Sequence, residues 1–170
     1  MRIVFAFFST LALLAGCNSA HQASVNLEGG VRVSLTVSGM FSVQSDWRRT
    51  LTVEHRGEII SRELFEDTGW WRGSNLYLAE AGLFVLDEGQ DGCIAFRLDP
   101  MRFDDKAARC HQRRQMLTNE QTSERDENTV SFVYPGMRYL GRFAETTDDR
   151  ARVEFISAGE APEIKLSDPL

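Results

Sequence analysis

Val31-Arg32-Val33-Ser34-Leu35-Thr36-Val37-Ser38 places an aliphatic residue at every second position with polar residues between. Successive side chains on an extended chain point to opposite faces, so this octet predicts a strand with one dry and one wet face. The same period recurs at Leu51 and Val53 among Thr50, Thr52 and Glu54, after which Arg56-Gly57 turns the chain into Ile59, Ile60 and the run to Phe65. That pattern predicts a hairpin. Residues 75–79 and 83–86 flank the break at Ala81-Gly82, and 93–98 follow the turn-rich 87–92. Residues 129–134 and 137–143 flank Pro135-Gly136, where proline presets φ and glycine accepts the positive φ of a type II turn. A last strand over 152–156 directs Val153 and Phe155 inward. The expected fold class is mainly β: an antiparallel meander of about eight short strands, closed into a small barrel or folded into a two-sheet sandwich.

Two stretches depart from this pattern. Residues 104–117 are rich in Ala, Gln and Arg, and Phe103, Ala107, Cys110 and Leu117 recur at loosely helical spacing behind Asp104 as an N-cap. Either a short helix or an irregular strand is expected there. Residues 118–128 contain no apolar side chain and many charges, the composition of a long exposed loop.

The beginning of the chain has a different character. Arg2 supplies a positive charge, and residues 3–14 are apolar apart from Ser9 and Thr10. About 12 residues match a signal-peptide core and fall short of the roughly 20 that span a bilayer. Residues 1–16 are therefore expected to be removed, leaving 154 of the 170 residues. A chain of about 150 residues buries roughly two thirds of its unfolded surface, enough for one domain with a real core. Loss of Arg2 takes the formal net charge from −6 to −7, and no long run of one sign occurs. Nucleic acid is not an expected partner of such an acidic surface.

The leader ends in Leu14-Ala15-Gly16-Cys17, which resembles the lipobox of bacterial lipoproteins. The resemblance covers the leader alone, and no family is recognised in the mature domain. It implies a diacylglyceryl thioether on Cys17, cleavage before that cysteine and acylation of the new amine, with palmitate among the expected chains. One acyl chain binds a bilayer marginally, whereas two or three hold it essentially permanently. Asn18 replaces the Asp that retains such proteins at the inner membrane of well-studied diderm bacteria. The resemblance thus implies an outer-membrane lipoprotein facing the periplasm. Residues 17–24 are small and polar and read as a lipidated tether, 25–157 as the single β domain, and 158–170 as a tail that leaves the sheet.

With Cys17 assigned to lipid, Cys93 and Cys110 remain as an even pair. An oxidising compartment makes a disulfide the default for them, worth roughly 3 kcal/mol in the chain-entropy model. Free thiols or a metal are the alternatives, but there is no Cys-x-x-Cys, and His111 directly beside Cys110 is awkwardly placed to chelate the same ion.

Motifs that carry chemistry are few. Residues 87–92 match a calcium loop in acids at its first and fifth positions and glycine at its sixth. They then fail, with Gly89 at a ligand position and Leu98 where a bidentate Glu is required. A hairpin loop is the expected reading. His21, His55 and His111 have no zinc-site spacing, and neither a Gly-x-Ser-x-Gly elbow nor a phosphate-binding glycine loop occurs. No catalytic residue, metal site or cofactor is expected.

Candidate contact residues remain. Trp70-Trp71 on an extended chain would send one indole outward, and with Arg72 it could form an aromatic contact surface, since Trp and Arg are favoured at interface centres. The bland alternative packs Trp70 in the core and Trp71 over a barrel end. Arg109, His111, Arg113 and Arg114 form a basic cluster that could hold an anionic envelope component or simply neutralise nearby Asp104, Asp105, Glu120 and Glu124. The resulting expectation is a lipid-anchored binding or accessory domain of the cell envelope, with an envelope protein or anionic component as partner. An inhibitor or immunity protein against a wall-active enzyme is the first alternative, and a wall- or lipid-modifying hydrolase is the second.

Overall fold

The computed structural model describes residues 20–38, 48–64, 71, 73–79, 82–89, 92–105, 115–116, 132–133, 136–146, 152–164 and 166. The chain is mainly β and contains no α-helix among these residues. Among the described residues twelve strands occur: β1 (Ala20–Leu27), β2 (Val31–Ser38), β3 (Arg48–His55), β4 (Glu58–Glu63), β5 (Ser74–Ala79), β6 (Leu83–Asp87), β7 (Cys93–Leu98), β8 (Met101–Phe103), β9 (Gln115–Met116), β10 (Phe132–Val133), β11 (Met137–Glu145) and β12 (Val153–Ser157). Strands β1 to β4 form a four-stranded meander. Six more form a sheet in the order β12-β11-β5-β6-β7-β8, and β9 pairs with β10. Every ladder is antiparallel.

The two large sheets pack face to face because each has an apolar face that neither can hide alone. Val31, Val33, Leu35 and Val37 of β2, with Leu51 and Val53 of β3, turn inward as the alternation predicts. They meet Leu76, Phe84, Leu86, Ile94, Phe96 and Phe143 of the larger sheet, where Phe84 and Phe96 stack with centroids 5.0 Å apart. Burial of each such side chain is worth roughly 1.5–3 kcal/mol. At one edge β1 lies against β12, and at the other β4 lies against β8. No hydrogen-bonded ladder joins the sheets among the described residues, so of the two expected architectures the sandwich is the one formed.

The larger sheet is buried on its outer face as well. Tyr77, Leu83, Val85, Cys93 and Ala95 are all buried there, with Ala79, Met137 and Tyr139 packed against them. This explains why β5, β6 and β7 read as near-continuous apolar runs while β2 and β3 alternate.

The hairpins expected at Arg56-Gly57, at Gly82 and across 87–92 are formed. Arg56 and Gly57 both take positive φ, 50° and 82°, the geometry that matches the right-handed twist of the strands they join.

Four expectations are corrected. Ala20–Leu27 is a strand, so most of the segment read as a tether belongs to the sheet; its small polar residues hide the pattern, but the backbone pairs with β2 from Ala20↔Ser38 onward. Gln115 and Met116, at the end of the stretch left open between helix and irregular strand, form β9 in keeping with the second alternative and are no correction, while 106–114 lie outside the described residues. Asp104 does not act as an N-cap: its carboxylate accepts from Arg97 Nε at 3.0 Å. The strands flanking Pro135-Gly136 do not pair with each other among the described residues, since β10 pairs β9 while β11 runs between β5 and β12.

The fourth correction concerns the tail. Ala158 N donates to Leu140 O at 3.0 Å, Asn75 Nδ2 donates to Ile164 O at 3.1 Å, and Leu166 is buried, so the segment straps back over the larger sheet. Glu160 ties its turn by accepting from Ser157 N at 2.8 Å and Ser157 Oγ at 2.7 Å, which holds the carboxyl below its usual range. The exposed loop expected over 118–128 lies outside the described residues.

Gly141 sits at a bulge in β11 with φ 145°, and a Cβ there would lie 2.5 Å from Ile156 O and 2.5 Å from Phe155 Cζ. Because the clash includes the backbone of β12, it cannot be relieved by a side-chain rotation. Gly141→Ala is expected to destabilise the domain by about 2 kcal/mol and to lower Tm by roughly 4–8 °C, read by thermal circular dichroism.

Candidate functional site

Arg49 lies in phase with Leu51 and Val53 on β3, so the strand pleat sends its side chain into the sandwich, where it is 0% exposed. Glu88, just beyond β6, continues the phase of Phe84 and Leu86 into the same interior. Arg49 Nη2 donates to Glu88 Oε2 at 3.2 Å, an ion pair whose two side chains are both fully buried. Ser74, the first residue of β5, donates its hydroxyl to Glu88 Oε1 at 2.7 Å. Ser74 Oγ in turn accepts from Trp71 Nε1 at 3.0 Å, and the Arg49 guanidinium lies 5.5 Å from the Trp71 ring centroid.

This chain crosses between the sheets. One carboxylate is gripped by the four-stranded sheet through Arg49 and by the six-stranded sheet through Ser74. Both carboxylate oxygens are occupied, so the group is built to hold geometry. What it holds is Trp71, half-buried against the core with its indole edge fixed and its face against a cation.

A second polar cluster occupies the outer face of the larger sheet. Asn75 pairs with Arg142 and Tyr77 with Tyr139 across β5 and β11. Residues three apart would ordinarily face opposite ways, but the bulge between Tyr139 and Gly141 shifts the parity and puts Tyr139 and Arg142 on one face. Tyr77 Oη donates to Glu163 Oε1 at 2.6 Å and accepts from Asn75 Nδ2 at 3.2 Å. The Tyr77 and Tyr139 rings are tilted with centroids 5.8 Å apart. Burial, reinforced by the Glu163 charge and partly offset by Arg142, raises the Tyr139 phenol to about 12. Its hydroxyl has no hydrogen-bond partner among the described residues.

Of the candidate contact, lipidation and disulfide residues, Trp71 and Cys93 are described. Trp71 is partly buried and packs against the core cluster. Cys93 is buried on the outer face of β7. Cys17, Trp70, Arg72, Arg109, Cys110, His111, Arg113 and Arg114 lie outside the described residues, so the basic cluster and the partner of Trp71 in the tryptophan pair are not placed. No group of three or more His, Cys, Asp or Glu suited to a metal ion occurs among the described residues. Sequence reading missed Arg49, Ser74 and Glu88. The signal for Arg49 was present, a charged residue at an inward position of an alternating strand; nothing in the sequence paired it with Glu88, thirty-nine positions on.

No protein-family model matches the chain, and neither a curated protein nor a solved structure does.

Removing one partner of a buried ion pair takes a counter-charge away from the other where water cannot replace it. Arg49→Met and Glu88→Leu are each expected to cost about 3–5 kcal/mol in urea denaturation, and the double variant clearly less than the sum of the two. Additive costs would mean the pair is not coupled.

Tyr139 yields a pH expectation whose sign follows from its raised phenol. The folded state holds this proton more tightly than the unfolded chain, so its contribution is fully present below pH 10 and is lost as pH rises toward about 12. Tyr139→Phe removes an unpartnered buried hydroxyl, so it is expected to leave neutral-pH stability nearly unchanged and to flatten the alkaline loss, followed by urea midpoints between pH 9 and about 12.

Proposed function

We propose that this protein is a lipid-anchored binding domain of the bacterial cell envelope, held at the outer membrane and facing the periplasm, which engages an envelope protein or anionic envelope component. The observation that carries the reading is the Leu14-Ala15-Gly16-Cys17 quartet standing just ahead of β1, which begins at Ala20. Three residue steps separate Cys17 from the first strand residue, a span of at most about 11 Å. A lipid on Cys17 therefore holds the sandwich directly against the bilayer by the end that carries Ala20, Ser38 and Arg48, which the register places side by side.

The binding role draws on Trp71. A large aromatic with a fixed edge loses little conformational freedom on contact, which suits an anchor at the centre of an interface. In the same proposal Cys93 is joined to Cys110 by a disulfide, in keeping with an oxidising compartment.

Metabolic labelling with an alkyne-bearing palmitate in the native bacterium tests the anchor. The expected result is a labelled protein in the membrane fraction, with label lost in Cys17→Ala; an unlabelled, freely soluble wild-type protein would overturn it. In the same cells, crosslinked partner adducts are expected for wild type and to fall at least fivefold for Trp71→Ala, with unaltered adducts removing Trp71 from the contact.

A further inference from the structure

The sandwich has a cleft at the end opposite the one where β1 begins. β1 runs from Ala20 to Leu27, Leu27 pairs with Val31, and Val31 pairs with His55, so the β3–β4 turn lies a full strand away from Ala20. Eight residues at about 3.3 Å each make that separation roughly 25 Å. Between this turn and the β7–β8 turn opens a cavity of about 360 Å³ lined by His55, Arg56, Glu58, Leu98, Asp99, Pro100 and Met101. The size falls at the lower end of the range for small-molecule sites, about 300–1,000 Å³.

The charges around this cleft are arranged differently from those beside it. On the neighbouring strands Arg97 pairs with Asp104 at 3.0 Å, and Arg62 pairs with Asp105 and stacks over Phe103. Arg56, Glu58 and Asp99 form no ion pair among the described residues, although all three line one small cavity. His55 contributes to the same lining, its Nδ1 turned into the protein and closed to solvent. The Arg56-Gly57 turn fixes the backbone from which Arg56 and Glu58 project, and Leu98, Pro100 and Met101 add apolar side chains to the lining beside Asp99.

We propose that this cleft binds a small zwitterion of the amino-acid or short-peptide class, its carboxylate held by Arg56 and its ammonium by Glu58 and Asp99. A simple anion would meet two carboxylates, and a simple cation would meet a guanidinium; a molecule carrying both charges on a short apolar body can answer both signs. This goes beyond the envelope-binding reading and does not depend on it. If the lipid anchor also holds, the cleft opens away from the bilayer, toward the aqueous compartment.

Calorimetric titration of the full-length protein in detergent micelles tests the site with three probes: alanyl-alanine, N-acetylalanine with only the negative charge, and alaninamide with only the positive. Alanyl-alanine is expected to bind at least roughly tenfold more tightly than either singly charged probe, about the worth of one charge-assisted hydrogen bond. Arg56→Asn, which keeps a residue tolerant of positive φ, is expected to weaken alanyl-alanine and N-acetylalanine roughly tenfold and leave alaninamide unchanged. Glu58→Gln with Asp99→Asn is expected to weaken alanyl-alanine and alaninamide and spare N-acetylalanine. Arg102→Gln, exposed and outside the cleft, serves as the control for general charge effects. No heat of binding from alanyl-alanine, equal binding of the three probes, or an Arg102→Gln effect matching that of Arg56→Asn would each overturn the proposal, and circular dichroism of every variant separates lost binding from lost fold. Loss of the lipid anchor in Cys17→Ala leaves these affinities unchanged, so the two proposals fail separately.

Discussion

Two sheets of unequal width must bury one apolar face each, and the mutual burial of those faces is the constraint from which the rest of the structure follows. The four-stranded meander buries Val33, Leu35, Leu51 and Val53 fully against the larger sheet. Into this dry layer the chain places an ion pair, Arg49 with Glu88. Two buried charges cost much desolvation, and a well-packed apolar pair could be as stable or more so. What the pair adds is position. An apolar layer tolerates sliding, whereas a carboxylate shared between Arg49 on one sheet and Ser74 on the other has one satisfying geometry, and that geometry also fixes the Trp71 indole.

The outer face of the larger sheet shows a different solution to the same desolvation problem. Tyr77, Leu83, Val85 and Cys93 turn away from the sandwich core and are still buried, and part of their cover is the C-terminal strap, whose Glu163 and Ile164 accept hydrogen bonds from Tyr77 and Asn75. The strap thus belongs to the domain. A bulge at Leu140, next to a glycine that no side chain could replace without moving β12, aligns Tyr139 and Arg142 on this face beside Asn75 and Tyr77.

The two proposed functional features lie at opposite ends of the strands. One end carries the start of β1, and so the point where a lipid on Cys17 would hold the domain; the same end of β3 carries Arg49, whose contacts position Trp71. The other end carries the cleft between the β3–β4 and β7–β8 turns. Strands of eight residues keep those ends roughly 25 Å apart. A domain anchored at one end by acyl chains has its opposite end free to meet small solutes, and the turns that frame that end are fixed by the sheets behind them.

Strong local periodicity made much of the fold legible in the sequence. β2, the β3–β4 hairpin and the strands around 74–98 were readable because alternation, apolar runs and glycine turns are properties of neighbouring residues. β1 was not, since Ala20, Gln22 and Ser24 carry no apolar signature and become a strand only because β2 offers an open edge to pair with. The partners of β10 and β11 and the docking of the C-terminal strap depend on residues far apart in the chain, and so does the Arg49–Glu88–Ser74–Trp71 relay. Of that relay, Trp71 stood out by composition alone, while Arg49 and Glu88 acquired meaning only when two sheets brought them within 3.2 Å. By itself the sequence determined the strand class and the turns, because each is written in adjacent side chains; sheet pairing, the buried bridge and the cleft were decided by tertiary structure, because each is a relation between surfaces that exist only after the sheets have closed on one another.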